Sequence, residues 1–350
     1  MLTSLQRLKF RLFCEGMAIT ERARKQLVTS STCGTLTLAD YASTSGIPLC
    51  LPEDIWVNVP IFDHNPNFVS VTPHQLDWTG EEYVLQSPLD EWSVMPIPVP
   101  AFASKNNSQG EPHSHYGLTH TDRVRISPIS GCSNSCTFCD LPHQFIYRCK
   151  EVALLKEAIK AALDDPILPA KHILISGGTP LKRDYEYLNN VYEEVLEAFP
   201  SIPIDIMMLP LPEVINLESL YKQGLNGLSI NLELFDDGWR NRMIPEKNAI
   251  RKETWLSFID KAVEYFGSEV RSMLMVGLEP IERTLDGVQA LAERGCTPVL
   301  SPFRPAPGTP LHNHPAPTAT FLEEVYLRSI EVCEKYRIKP GPQCIPPVSG

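Results

Sequence analysis

Three cysteines lie close together near the middle of the chain, at Cys132, Cys136 and Cys139. Thiolates with this spacing in a loop can converge on one soft metal centre, and closely spaced cysteines hold iron–sulfur clusters. They cannot all pair with one another, because so short a segment would leave strain or an unpaired thiol. Three ligands on a four-iron cube leave one iron open, and an open position distinguishes a reactive metal site from a closed structural one.

Two other interpretations of these cysteines stay open at this point. One is a zinc site completed by His143, and the other is a set of structural thiols. No second CxxC pair lies nearby to close a tetrahedral zinc site, which disfavours the first. We interpret the remaining, scattered cysteines as small buried apolar residues. They are Cys14, Cys33, Cys50, Cys149, Cys296, Cys333 and Cys344.

Further residues of interest follow predicted strands. Gly177 and Gly178 come after the second strand, where residues without side chains let the backbone approach a ligand closely. Asn231 and Glu233 end the fourth strand two positions apart, which predicts that they share one face of that strand. Met275, on the fifth strand, fits an apolar core as well as a ligand pocket.

From about residue 122 onward, strand-like and helix-like stretches alternate, which is typical of parallel strands joined by crossover helices. The fold class we predict is α/β, with a partial (βα)6 TIM-like barrel whose active groups lie at the C-terminal ends of its strands. The predicted strands are 123–130, 173–176, 202–209, 227–233, 270–277 and 298–303, and the helices that follow them are 151–163, 188–199, 214–223, 254–266, 285–294 and 319–336.

The first part of the chain has a mixed pattern. Residues 5–27 predict a helix or a helix pair, and residues 35–104 are rich in Pro, Trp and β-branched residues, which favours short extended pieces. The polar, turn-rich stretch 105–114 is the best boundary candidate. We therefore expect an N-terminal extension or cap over residues 1–120 and a barrel with a C-terminal helix and tail over residues 121–350.

Composition limits the partners. The 350 residues carry 31 Lys and Arg against 42 Asp and Glu, a formal charge of −11, so nucleic acid is an improbable partner. No apolar run approaches the roughly 20 residues that a membrane-spanning helix needs. We expect a cytoplasmic protein without a membrane partner.

The cysteine motif resembles the hallmark of the radical S-adenosylmethionine (radical SAM) superfamily, CxxxCxxC with an aromatic residue before the last cysteine, here Phe138. The resemblance implies that the three cysteines bind a [4Fe-4S] cluster and that S-adenosylmethionine chelates its fourth iron. It also implies an electron donor such as flavodoxin or ferredoxin and reductive cleavage of S-adenosylmethionine to a 5′-deoxyadenosyl radical. The protein would then orient the reactants and exclude side reactions.

The other motifs are similar to those of the branch that contains biotin synthase, lipoyl synthase and hydrogenase maturases. The segment from Gly177 to Pro180 resembles a GGEP element, with Thr179 in place of the acid, and the segment from Asn231 to Glu233 resembles an Asn-Leu-Glu element. Arg251, with Lys252 and Arg242 as alternates, lies at the spacing of an arginine for the cofactor carboxylate. The implied cofactor-binding residues are Phe138, Ser176, Gly177, Gly178, Thr179, Asn231, Glu233, Arg251, Met275 and Val276.

The segment after the sixth strand ends in GTPL, as it does in the same branch, which implies that Ser301 and Arg304 border a substrate cavity. The other cysteines do not match a second, sulfur-donating cluster, although Cys344 is a reservation, so we expect one cluster and no sulfur insertion. We expect hydrogen abstraction from a small polar molecule in cofactor or natural-product biosynthesis. The alternatives are an enzyme that modifies RNA or a peptide, and a non-catalytic iron–sulfur scaffold or carrier.

Overall fold

The computed structural model describes most of the chain. The described residues are 2–29, 36–42, 46–66, 68–69, 71–88 and 90–341. Cys33 and Cys344 lie outside them, so the interpretations of these two cysteines remain predictions. No helix in the described ranges is both long and apolar enough to cross a membrane.

The N-terminal region combines a helix pair with short strands, as its sequence predicts. Thr3 begins the first helix with a reciprocal capping box, in which its side chain and that of Gln6 each accept a hydrogen bond from the other's backbone. In chain order the elements are α1 (Ser4–Glu15), β1 (Ala18–Ile19), α2 (Glu21–Thr29), β2 (Gly46–Leu51), β3 (Ile55–Pro60), β4 (Gln75–Trp78), β5 (Tyr83–Gln86) and β6 (Glu91–Pro96). The strands form a sheet in the order β1-β4-β5-β6-β2-β3.

The rest of the described chain forms the strand–helix units of the predicted partial barrel. Its strands are β7 (Gly117–His120), β8 (Arg123–Ile126), β9 (Ile129–Ser130), β10 (Arg148–Cys149), β11 (His172–Ile175), β12 (Ile204–Met207), β13 (Gly227–Ser229), β14 (Val270–Val276) and β15 (Thr297–Pro302). Its helices are α3 (Leu141–Gln144), α4 (Val152–Leu163), α5 (Tyr185–Ala198), α6 (Leu217–Lys222), α7 (Asp237–Met243), α8 (Pro245–Asn248), α9 (Lys252–Phe266), α10 (Ile281–Ala292) and α11 (Ala319–Lys335).

The barrel sheet has the order β15-β14-β13-β12-β11-β8-β7, with β9 and β10 as a separate antiparallel pair. Parallel pairing runs from β8 to β15, which confirms the predicted α/β partial barrel. The sheet begins earlier than the predicted boundary at residue 121, because β7 pairs antiparallel with β8. Only a turn separates these two strands, and such a turn can join only antiparallel neighbours.

Several predicted strands are shorter in the structure, and two of these differences bear on the site. The first, over 123–130, breaks after Ile126, and its last two residues pair with β10 instead. The fourth was predicted to continue to Glu233, but β13 ends at Ser229. Glu233 has a φ of 68°, in the left-handed region that strands do not use. The prediction that Asn231 and Glu233 share one face of a strand is therefore wrong.

Alternate residues of the strands face opposite sides. Val124, Ile173, Ile204 and Leu228 belong to the apolar core under the surrounding helices. Their polar neighbours in sequence face the barrel interior because side chains alternate along a strand.

Asp205 is the centre of an ionic group on this interior side. Its carboxylate lies 2.8 Å from Arg271 Nη2 and 3.2 Å from His172 Nε2, and it accepts a hydrogen bond of 2.8 Å from Asn226. Burial raises the pKa of Asp205, but the nearby His172 and the charge of Arg271 outweigh burial and hold the pKa at about 2. The interior thus carries a buried, charge-compensated network on β11, β12 and β14.

The N-terminal region and the barrel share a core. Val276 of β14 and Leu322 and Val325 of α11 pack in the same buried cluster as α1 and the N-terminal strands. Beyond β15, the backbone carbonyl of Pro305 accepts a hydrogen bond of 2.6 Å from Asn65. The N-terminal region thus meets the barrel along α11 and at the C-terminal end of β15.

Candidate active site

The cysteine loop connects β9 to α3 and packs against the loop that follows β11. The two backbones touch, since a Cβ added at Gly178 would lie 1.7 Å from the carbonyl oxygen of Gly131 and 2.9 Å from the Cα of Cys132. Ser133 N donates to the carbonyl of Thr179 at 2.9 Å, which fixes this contact. The lack of a side chain at Gly178 is thus what lets the cysteine loop approach this closely, and its expected contact with a ligand remains a prediction.

Backbone amides point at the first cysteine. The Sγ of Cys132 accepts a hydrogen bond of 3.1 Å from Thr179 N and one of 3.4 Å from Asn134 N. Asn134 Nδ2 also donates to Thr179 Oγ1 at 3.1 Å. Two backbone amides therefore converge on the sulfur of Cys132.

The thiols of the other two cysteines have raised pKa values. Cys136 is buried, and burial raises the pKa of its thiol to about 12 while Lys247 acts in the opposite direction. Burial likewise raises the pKa of Cys139 to about 11. A cation that binds these sulfurs would reverse this preference, because a coordinating thiol is deprotonated outright. The loop is thus suited to a cationic soft centre.

A buried ion pair lies beside the cysteines. Lys247 Nζ donates to Glu233 Oε1 at 2.7 Å, and the two side chains are only 14% and 6% exposed. Burial lowers the pKa of Lys247, but Glu233 and Cys136 outweigh burial and raise it. Among the described residues, the second oxygen, Glu233 Oε2, has no hydrogen-bond partner. A buried, unsatisfied carboxylate oxygen is an acceptor that a bound ligand can use.

Lys247 was not among the residues predicted from the sequence. It follows Met243 and Glu246, and both of these contact the cysteine loop. Thr137 N donates to the carbonyl of Met243 at 2.9 Å, and Ser135 N donates to Glu246 Oε2 at 3.1 Å. No spacing in the sequence relates this segment to the cysteines, so only the tertiary structure identifies Lys247.

Asn231 has a positioning role within the protein. Its Oδ1 accepts hydrogen bonds from Ser229 Oγ at 2.8 Å and from Met273 N at 3.1 Å. The same stretch is held to β14 by Met275 N, which donates to the carbonyl of Glu233 at 2.6 Å. These contacts hold the left-handed backbone at Glu233, which directs its side chain away from the path of the strand.

The contacts of four other predicted cofactor residues differ in kind. Ser176 Oγ accepts a hydrogen bond of 2.6 Å from Arg125 Nε. Phe138 and Met275 pack in one apolar cluster with Phe303. The side chain of Val276 instead belongs to the core shared with the N-terminal region, so only its backbone is available to a ligand.

The basic residues predicted for the cofactor carboxylate have different surroundings. Arg251 is exposed at the N-cap of α9. Lys252 pairs with Asp237 at 3.1 Å, and Arg242 stacks on a tryptophan ring. In contrast, Arg240 is fully buried and donates to the carbonyls of Leu232 and Leu234, which supports the backbone around Glu233.

The predicted substrate residues are at the end of β15. Ser301 pairs in register with Met275, so both are on the same side of the sheet. Arg304 donates to the N-terminal region, with hydrogen bonds of 2.6 Å to the carbonyl of Asn58 and 3.2 Å to its Oδ1. Its guanidinium therefore joins the barrel to β3.

The donor set fits an iron–sulfur cluster better than a single metal ion. Within the described ranges, no three His, Cys, Asp or Glu side chains are placed to hold one ion together. A cube presents separate corners to separate thiolates, and clusters are held by cysteines of this kind. The partial barrel, the three closely spaced cysteines, the amides directed at sulfur and the unsatisfied buried carboxylate are the features that a cluster and a polar ligand would need.

Comparison with known proteins agrees with this description. Residues 126–301, half of the chain, match the family model described as the Radical SAM superfamily. The chain belongs to the radical SAM superfamily. Enzymes of this family use a [4Fe-4S] cluster and S-adenosylmethionine.

Individual similarities are more limited. Bacteriochlorophyllide c C-7(1)-hydroxylase of Chlorobaculum limnaeum is 26% identical over 144 residues, which are 40% of this chain and 36% of that protein. The chain thus spans about a third of the length of this curated relative. A radical SAM methyltransferase from Sphaerobacter thermophilus has a similar fold, with a TM-score of 0.50 and 15% identity over 78% of this chain and 77% of its own. The hydrogenase maturase HydG from Carboxydothermus hydrogenoformans has a TM-score of 0.48 and 15% sequence identity, and the match covers 64% of this chain and 55% of HydG.

Proposed function

We propose that the protein binds a [4Fe-4S] cluster through Cys132, Cys136 and Cys139 and uses it with S-adenosylmethionine to abstract hydrogen from a small polar substrate. The observation that carries this proposal is the contact between the cysteine loop and the loop after β11. There, Thr179 N donates to the sulfur of Cys132 at 3.1 Å. The proximity of the two loops supports a cluster and a cofactor that bind side by side.

When bound, the reduced cluster supplies the electron that cleaves S-adenosylmethionine to methionine and a 5′-deoxyadenosyl radical. The chain's own residues prepare the site for this chemistry. The amides of Asn134 and Thr179 donate hydrogen bonds to the sulfur of Cys132, and Lys247 places a positive charge beside Cys136. The apolar cluster that contains Phe138 and Met275 excludes water from one side.

The cofactor's polar groups need hydrogen-bond partners near the cysteines. We propose Glu233 Oε2 as the main acceptor, since it is buried and has no partner among the described residues. Gly177 and Gly178 would offer backbone groups, and Ser176 and Asn231 would line the same edge of the sheet. Arg251 is the weakest member of the predicted set, because its side chain is exposed.

The substrate and partners follow from the chemistry. The relative in Chlorobaculum limnaeum is named a hydroxylase, and a hydroxylation at carbon breaks a C–H bond, which supports hydrogen abstraction by this chain. We propose a small molecule of cofactor or natural-product biosynthesis as the substrate. A flavodoxin or ferredoxin in the cytoplasm would supply the electron.

The test is anaerobic reconstitution with iron and sulfide, followed by measurement of 5′-deoxyadenosine in the presence of reductant and S-adenosylmethionine. Cys136→Ala should bind little iron and form no product. Cys149→Ala is the matched control, because Cys149 is exposed and outside the motif, and it should behave as the original protein does. No cleavage above the Cys136→Ala background would refute the proposal. A reduced-cluster paramagnetic spectrum unchanged by S-adenosylmethionine would indicate a non-catalytic scaffold instead.

A further inference from the structure

The segment that joins α7 to α8 is bound to the cysteine loop on both sides of Cys136. Ser135 donates to the carboxylate of Glu246 through its backbone N, at 3.1 Å, and through its Oγ. On the other side of the cysteine, Thr137 N donates to the carbonyl of Met243 at 2.9 Å. The end of α7 and the start of α8 are therefore fixed beside this cysteine.

Lys247 follows Glu246 in α8 and belongs to a buried ion pair. Its Nζ donates to Glu233 Oε1 at 2.7 Å, and both side chains are largely buried. The backbone of Glu233 is held to β14, because Glu233 N donates to the carbonyl of Met273 at 2.9 Å and Met275 N donates to the carbonyl of Glu233 at 2.6 Å. Both ends of the ion pair thus have fixed positions.

The positive end of this ion pair acts more strongly on Cys136 than the negative end does. Burial raises the pKa of the thiols of Cys136 and Cys139, and the charge of Lys247 lowers both. Glu233 opposes Lys247 at Cys136, but its effect there is the smaller of the two. Burial lowers the pKa of Lys247, whereas Glu233, Cys136 and Cys132 outweigh burial and raise it. The lysine charge therefore acts directly on the proposed cluster ligands.

An iron–sulfur cluster responds to charge of this kind. Its reduction potential depends on net charge, on hydrogen bonds to the sulfurs and on solvent exposure. Reduction adds one electron, so a nearby cation favours the reduced cluster and a nearby anion favours the oxidised one. Buried charges act more strongly than surface charges because the interior screens them less.

We propose that Lys247 raises the reduction potential of the cluster bound by Cys132, Cys136 and Cys139, and that Glu233 limits this effect. This inference rests on the proposed function, which supplies the cluster. One electron passes from the proposed flavodoxin or ferredoxin to the cluster, and the lysine stays protonated throughout. Lys247 is thus a positioning residue, which holds a charge beside the sulfurs and takes no part in making or breaking a bond.

Redox titration of the anaerobically reconstituted protein, without S-adenosylmethionine, tests this inference. The paramagnetic signal of the reduced cluster gives the ratio of reduced to oxidised cluster at each potential. Lys247→Met should lower this ratio about tenfold at a fixed potential, which corresponds to about 59 mV for one electron. Glu233→Gln should raise the ratio, because it leaves the lysine charge unopposed. Lys247→Arg keeps the charge and should leave the ratio close to that of the original protein.

Two further variants serve as controls. Lys247→Met leaves the buried Glu233 unpaired, which destabilises the fold, whereas Lys247→Met/Glu233→Gln leaves no unpaired charge. The ratio of this double variant should lie between those of Lys247→Met and the original protein. Lys222→Met is the matched control, because Lys222 pairs with Glu218 on the exposed surface of α6, and it should not change the ratio.

Shifts in opposite directions distinguish a charge effect from a structural one, since damage to the fold would move both variants of the ion pair in the same direction. Shifts of Lys247→Met and Glu233→Gln in one direction therefore overturn the inference. An unchanged ratio in both Lys247→Met and the double variant also overturns it. Failure of the original protein to bind iron and sulfide refutes the proposed function and this inference with it. A bound cluster that does not respond to Lys247 refutes this inference alone.

Discussion

The contact between Gly178 and the cysteine loop gives the sharpest test of how this site is built. Gly178→Ala adds one methyl group, whose carbon would lie 1.7 Å from the carbonyl oxygen of Gly131. Real contacts of this kind stay beyond about 3 Å, and the clashing atoms are backbone on both sides, so no side chain can rotate away. The two loops must therefore move apart by more than an ångström.

This movement removes specific interactions. The hydrogen bonds from Thr179 N to Cys132 Sγ, at 3.1 Å, and from Ser133 N to the carbonyl of Thr179, at 2.9 Å, would be stretched beyond useful length. Overpacking costs about 1–3 kcal/mol, and each lost hydrogen bond adds about 1 kcal/mol. We expect a total loss of about 3–5 kcal/mol in the free energy of unfolding, with weaker retention of iron.

The assay combines urea denaturation of the metal-free protein with iron and sulfide content after anaerobic reconstitution. The control is Gly224→Ala, because a Cβ at Gly224 would meet nothing within 4 Å although its φ is +90°. It should lose some stability through backbone strain but keep its iron. If Gly178→Ala is as stable as Gly224→Ala and binds as much iron, the two loops do not depend on close packing and the reasoning is refuted.

Two further predictions concern buried charges. Glu233→Gln leaves the charge of Lys247 uncompensated, so it should lower the free energy of unfolding in urea by about 3 kcal/mol. Glu218→Gln is the control, because Glu218 belongs to an exposed ion pair, and it should not change the stability measurably. Equal effects of the two substitutions would contradict the importance of burial. Because the pKa of Asp205 is held at about 2, its ionised form contributes stability above the unfolded pKa of about 4, and this contribution is lost as the pH falls from about 4 towards 2. The difference in unfolding free energy between the original protein and Asp205→Asn should shrink over that window by roughly 2 kcal/mol, and a difference independent of pH would contradict this assignment.

Much of the barrel could be predicted from the sequence because its signals are local. Helix α4 was predicted over 151–163 and spans Val152–Leu163, and β14 was predicted over 270–277 and spans Val270–Val276. Apolar periodicity determines such elements, since each must bury one face. The spacing of the cysteines is local in the same sense, and it indicated the metal chemistry without any knowledge of the fold.

The sequence by itself determined the alternation of strands and helices, the cysteine loop and the superfamily motif. Only the tertiary structure decided which side chains surround that loop. Lys247 pairs with Glu233 across 14 positions, and Arg304 binds Asn58 across 246 positions. The left-handed backbone at Glu233, which turns its carboxylate out of a strand, is likewise held by contacts with another strand. Contacts between distant segments leave no periodic signal, because they depend on how complete elements pack together rather than on the neighbours of each residue.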